Sequence, residues 1–226
     1  IKAPHFVLYI KDLLEKKYGD RFVEQGGLTV KTTLDYDMQQ FAELAVASEV
    51  AKLKFAHVTN GAAVVTDPAH GDILALVGSK DYFDASIDGN VNIALALRQP
   101  GSSIKPINYA AGFINGYNPA TIFVDKEICF PASTGAAYCP KNYDGKFHGV
   151  VSLREALASS LNIPAVKMLK LNTVQSMIAT ASAMGISTFK DPQRYGLSLT
   201  LGGGEVTMLD MATAFGVFAN GGYKIG

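Results

Sequence analysis

No apolar run in the 226 residues approaches the roughly 20 that a helix needs to cross a bilayer. Nor is there an excess of one charge. Lysine plus arginine total 20 and aspartate plus glutamate total 20, so the sequence offers no basic footprint for a nucleic-acid partner. Charged residues make up only 18% against 48% hydrophobic, which excludes disorder as the main state. Low-complexity segments and internal repeats are absent. Cysteine is scarce, with Cys129 and Cys139 alone, and no CxxC or HExxH occurs, so no metal centre is expected. The ten-residue spacing leaves a disulfide and two free thiols equally open. Ile1 opens the chain without a basic stretch leading into an apolar one, and Tyr223-Lys-Ile-Gly226 ends it without a capping element. Both ends read as cuts, and the expectation is an internal piece of a longer protein.

Hydrophobic spacing organises what remains. Residues 4–18 carry Val7, Ile10 and Leu14 at helical intervals, and Gly19 stops them. Leu28–Thr33 alternates like a strand. Asp35 is placed to cap a long helix with Met38, Phe41, Ala42, Ala45, Val46, Val50 and Leu53 on one face. Ala62–Thr66 and Asp72–Gly78 are β-rich and joined by Asp67-Pro-Ala-His-Gly71, which predicts an antiparallel hairpin and an α+β fold. Beyond residue 100 the pattern is helical. Ile104, Ile107, Ala111 and Ile114 form a stripe from near Ser102, and Ser152-Leu-Arg-Glu155 is a capping box. Pro164 suits a helix start, Thr173 opens a helix with Val174, Met177, Ile178 and Ala181 inward, and Thr207 precedes a last one with Met211, Phe215 and Phe218.

Two tetrads have the form S-x-x-K, Ser102-Ser-Ile-Lys105 and Ser187-Thr-Phe-Lys190. On a helix, positions i and i+3 share a face, so the amine can reach the hydroxyl. A serine needs a base to become a nucleophile, and a lysine serves when burial lowers its pKa. Context favours Ser102, which follows Arg98-Gln-Pro-Gly101 and opens an apolar helix. Ser187 lies in a loop-like stretch before Asp191-Pro192. The plain alternative for Ser102 is a helix N-cap. Ser160-Leu-Asn162 falls at an interhelix turn, where a hydroxyl could relay a proton and an amide could hold a carbonyl. Its plain alternative is Asn162 as N-cap of the Pro164 helix.

Together, S-x-x-K and S-x-N 58 residues later resemble the serine penicillin-recognising enzymes. Arg98-Gln-Pro-Gly-Ser-Ser-Ile-Lys-Pro106 resembles the active-serine segment of class A, bifunctional penicillin-binding proteins. So do Asn142-Tyr-Asp-Gly145, Leu153-Arg-Glu-Ala-Leu157, Ser160-Leu-Asn-Ile-Pro-Ala-Val166, Leu199-Thr-Leu-Gly-Gly-Gly-Glu-Val-Thr207 and Phe218-Ala-Asn-Gly-Gly222. Gly26–Asp35 is similar to that family's linker between its glycosyltransferase and transpeptidase domains.

The resemblance implies residues 1–58 as linker region and 59–226 as the N-terminal part of a transpeptidase domain. Its fold would be the penicillin-binding-protein/β-lactamase type, an antiparallel sheet flanked by helices, incomplete at the C-terminus. The implied activity is a D,D-transpeptidase of peptidoglycan, with Ser102 as nucleophile, Lys105 as general base, Ser160 as proton relay and Asn162 orienting substrate. Its partners would be stem peptides ending in D-Ala-D-Ala and β-lactams, with no cofactor or metal. The family's third motif, Lys-Thr-Gly or Lys-Ser-Gly, is missing, and the nearest tripeptide, Lys31-Thr-Thr33, lies in the linker-like strand. Alternatives are a non-catalytic penicillin-binding sensor or scaffold, or a β-lactamase or D,D-carboxypeptidase of the same superfamily. The acidic residues after Asn162 (Asp191, Glu205 and Asp210) form no recognisable deacylation motif. The implied setting is the outer face of the cytoplasmic membrane, reached through an anchor outside these residues and with a glycosyltransferase in the parent chain. That setting favours the Cys129–Cys139 disulfide.

Overall fold

The computed structural model describes residues 1–131 and 136–225. In chain order its elements are α1 (Pro4–Tyr18), α2 (Asp20–Gln25), α3 (Tyr36–Lys52), β1 (Ala63–Asp67), β2 (Asp72–Val77), α4 (Lys105–Ile114), β3 (Ile122–Asp125), β4 (Gly149–Ser152), α5 (Leu153–Ala158), α6 (Asn162–Asn172), α7 (Val174–Ala183) and α8 (Met208–Ala219). Strands β1 and β2 pair antiparallel, as do β3 and β4, which makes the fold α+β. Two compact units result, one of Ile1–Leu97 with Thr207–Gly226 and one of Arg98–Val206.

In the first unit, Asp35 caps α3 as its position demands, accepting from Met38 N–H at 3.0 Å. The buried stripe of α3 is Gln39, Ala42, Val46 and Val50, packed on Ala75 and Val77 of β2. The expected face was too wide: Phe41 is 74% exposed, and Ala45 and Leu53 also face outward. Gln39 replaces them because its amide closes two hydrogen bonds with Leu76, at 2.8 and 3.1 Å. On α1 the inward residues are His5 and Phe6, beside Ala3, while Val7 is exposed. Leu28–Thr33 is not a strand. Its contact with β2 is the Thr33 hydroxyl on Ile73 O, with Asp35 N–H on Leu74 O just beyond, which is too sparse for a ladder. Helix α8 is capped by Thr207 as expected but buries Ala214 and Val217. Phe215 and Phe218 instead face outward and meet edge-to-face at 5.9 Å.

In the second unit, Tyr109, Val151, Leu153, Ala156, Leu161, Ala165 and Met168 form the core. The Ser152–Glu155 capping box is complete, so β4 turns directly into α5. Thr173 caps α7 through Ser176 N–H, and Met177, Ile178 and Ala181 are buried. Helix α4 packs closely on α6 at Gly112, where a Cβ would lie 2.6 Å from Met168 Sδ. The stripe ends earlier than its spacing suggests: Ile104, Ile107 and Ala111 are fully buried, but Ile114, at the last turn, is 76% exposed. Cys129 and Cys139 form a disulfide across a two-residue bridge between Phe130 and Tyr138. Residues 132–135 of the intervening loop lie outside the described residues.

Candidate active site

The Ser102 segment begins with a clamp. Arg98 and Val206 exchange both backbone hydrogen bonds at 2.9 Å, fixing the entry to residues 99–101. Gly101 has φ +59°, a conformation that costs a side-chain-bearing residue about 1–2 kcal/mol. A tight 3-10 turn, Gly101–Ile104, follows and passes into α4 at Lys105. The helix expected from Ser102 is thus a 3-10 turn first, which places residues i and i+3 in line. Pro106 sits in the first turn of α4, where its missing N–H leaves no ladder bond unmade.

Lys105 is 1% exposed, and burial pushes its amine down to about 8. Three acceptors receive it: Ser160 O at 2.5 Å, Ser160 Oγ at 3.1 Å and Asn162 Oδ1 at 2.7 Å. The ammonium has three donors, so this geometry satisfies it fully. Lys105, Ser160 and Asn162 therefore form one cluster. Ser102 is an exposed residue, and its hydroxyl is not among the lysine's partners.

The Ser160 turn explains how the cluster is built. Ser160 N–H bonds Leu157 O and Leu161 N–H bonds Ala156 O, the paired pattern that ends a helix in a left-handed residue. Glycine usually fills that place, yet here Ser160 takes φ +51°. The strain turns its carbonyl and hydroxyl together toward Lys105. Asn162 does not cap α6. It is the first helical residue, and the N-cap Leu161 offers no side-chain bond. Asn162 Nδ2 donates to Lys141 O at 2.8 Å, which leaves its oxygen for Lys105.

Spacing missed the polar scaffold beneath. Asn108, fully buried one turn beyond Lys105, donates to Ala165 O at 2.9 Å and Thr200 Oγ1 at 2.8 Å, and accepts from Asn172 Nδ2 at 3.1 Å. These bonds tie α4 to α6 and to the 3-10 turn Leu197–Leu201, which leads into Gly202. The available signal was an asparagine inside an apolar stripe. Ser187, in the competing tetrad, lies in a loop away from any helix start.

Comparison with known proteins decides the family. Residues 61–225 match the family described as the penicillin binding protein transpeptidase domain. The chain belongs to that family. Penicillin-binding protein 2D of Bacillus subtilis (strain 168) is 36% identical over 228 aligned residues, covering 99% of this chain but 32% of that protein. The crystal structure of penicillin-binding protein 1A from Haemophilus influenzae is 30% identical over 74% of this chain and 24% of its own, with a TM-score of 0.67. PonA1 from Mycobacterium tuberculosis, solved in complex with penicillin V, covers 99% of the chain and 61% of its own at 24% identity, with a TM-score of 0.77, and shares the fold. The chain spans about a third of the length of the Bacillus relative. This penicillin-binding transpeptidase domain contains no helix, among the described residues, long and apolar enough to cross a membrane.

Proposed function

We propose that this chain carries the acylating half of a peptidoglycan D,D-transpeptidase. Ser102 is the nucleophile and Lys105 the base that takes its proton. Ser160 relays that proton to the leaving amine, and Asn162 orients the lysine and the substrate amide. The hydroxyl oxygen attacks the penultimate D-Ala carbonyl of a stem peptide. The C–N bond breaks and the terminal D-Ala leaves with the proton. An amine from a neighbouring stem then takes the acyl group and frees Ser102. A β-lactam acylates the same oxygen by ring opening, and the adduct has no departing amine to make room for the acceptor.

The observation that supports this reading is the buried amine of Lys105, three residues after an exposed serine and bonded to both Ser160 and Asn162. A lysine buried among neutral acceptors, without a carboxylate, is suited to give and take a proton near neutral pH. Residues 1–58 fit a linker ahead of this domain, and 59–226 its N-terminal part. The parent protein would act at the outer face of the cytoplasmic membrane and also carry a glycosyltransferase.

The test is labelling by a fluorescent penicillin, with the adduct mapped by mass spectrometry and Ser102→Ala as control. No Lys-Thr-Gly or Lys-Ser-Gly occurs in the chain, so weak labelling is expected of these 226 residues and strong labelling of the chain extended past Gly226. Silence of the extended chain, or an adduct that survives Ser102→Ala, would sink the assignment. Stable acylation with no transfer to a D-amino acid or stem-peptide amine would favour a sensor.

A further inference from the structure

Asn162 is held by more than Lys105. Asn142, 5% exposed, reaches the first turn of α6 from a separate segment. Its Oδ1 accepts from Asn162 N–H at 2.8 Å and from Ile163 N–H at 3.4 Å. These are helix-start donors with no partner inside the helix, so Asn142 supplies from a distance the cap that Leu161 lacks. The other end of the same amide donates to Asp125 Oδ2 at 2.7 Å and to Lys146 O at 2.9 Å. Asp125 is fully buried at the end of β3, and its Oδ2 also accepts from His148 N–H at 2.9 Å. Its Oδ1 has no partner among the described residues, so the carboxylate depends on Asn142 and His148 for its hydrogen bonds.

The residue type follows from these demands. One short side chain must accept from a helix start and donate to a carboxylate. An aspartate would set two carboxylates together, and a leucine would orphan both partners. The consequence reaches Lys105. Lys141 O fixes Asn162 Nδ2, and Asn142 fixes its backbone, so the side-chain oxygen must point at the amine. A flipped amide would face an ammonium with N–H groups and a carbonyl with an oxygen.

We propose that Asn142, braced by the buried carboxylate of Asp125, is a positioning residue that makes Asn162 present its oxygen to Lys105. The effect on chemistry rests on the reading of Ser102 and Lys105 given above. The hydrogen-bond chain itself does not.

The test uses the longer protein that contains this chain and separates noncovalent penicillin binding from the acylation rate constant. Asn142→Ala is expected to slow acylation about ten- to hundredfold while noncovalent binding stays within about threefold. The double variant Asn142→Asp/Asp125→Asn keeps an acceptor for Asn162 N–H and remakes the bond between the two side chains in the reverse direction. It mismatches Lys146 O and His148 N–H, so it should recover only part of the loss, acylating at least about threefold faster than Asn142→Ala. A folded Asn142→Ala protein that acylates at the unmodified rate overturns the proposal. If that variant does not fold, a folded double variant slowed more than about a hundredfold overturns it. Amide hydrogen exchange at Asn162 and Ile163 reads the contact without any ligand. Both amides should be protected, lose protection in Asn142→Ala and regain it in the double variant. Rapid exchange at Asn162 in the unmodified protein overturns the positioning role whether or not penicillin reacts. Protected amides with no adduct on Ser102 would count against the serine assignment instead.

Discussion

Gly202 lies directly against Gly101. A Cβ built on Gly202 would stand 2.2 Å from Gly101 N and 2.4 Å from its Cα, and Gly202 also has φ +89°. The glycine-rich loop therefore braces the residue before Ser102, backbone against backbone. No flexible side chain is available there to give way.

Gly202→Ala must both strain its own backbone and push the Ser102 turn. The expected loss is about 2–4 kcal/mol, read as a fall in Tm of several degrees, with slower acylation. Gly101→Ala is the control. It shares the positive φ but meets nothing within 4 Å, so it should cost only the strain, about 1–2 kcal/mol. Equal Tm values for the two variants would contradict the packing argument.

Most of this frame was legible in the sequence because it rests on local chemistry. Asp35, Ser152, Thr173 and Thr207 each cap the helix that follows them, and the Asp67–Gly71 turn joins an antiparallel hairpin. Faces were less legible. Phe41, Ile114, Phe215 and Phe218 satisfy helical spacing yet lie exposed, because spacing alone does not say which side of a helix a partner covers. In the candidate site, Lys105, Ser160 and Asn162 could be brought together by motif. Asn108, Asn142 and Asp125 could not, since the bonds that tie them to α6, to one another and to the Leu197–Leu201 turn span 17 to 92 positions of sequence. The left-handed backbone of Ser160 leaves no compositional mark either.

The pH dependence of acylation should carry the signature of Lys105. With the amine near 8, about one molecule in ten has a neutral lysine at pH 7. The rate should rise with pH through a midpoint near 8 and level off above it. The same group makes a signed contribution to stability. Its folded pKa lies below the unfolded value of 10.5, so between about 8 and 10.5 the unfolded chain binds more protons and stability from this group rises with pH. A rate that is flat from pH 6.5 to 9.5 would remove Lys105 as the base.

The Cys129–Cys139 disulfide should be present in protein made under oxidising conditions. Thiol counting on unreduced, unfolded chain should return none, and two would refute the bond. Cys129→Ser with Cys139→Ser should cost up to about 3 kcal/mol, the loop-closure term for a loop this short. Asn142 follows the disulfide by three residues, so acylation should slow as well if the loop helps hold it. A Tm unchanged by the double substitution would assign the stabilisation to native contacts alone.

Ser160 offers the sharpest separation of stability from chemistry. Its left-handed backbone closes α5 in the position glycine prefers, so the side chain is kept there at a cost to folding. Ser160→Gly should relieve that strain by about 1 kcal/mol and raise Tm by a few degrees. It also removes the hydroxyl that accepts from Lys105, so acylation should fall about a hundredfold. Ser160→Ala keeps the strain and loses the hydroxyl, and should lower rate and Tm together. A purely structural Ser160 predicts for glycine the same gain in stability with acylation unchanged. Measuring both variants by thermal melt and penicillin acylation decides between a residue retained for its oxygen and one that merely ends a helix.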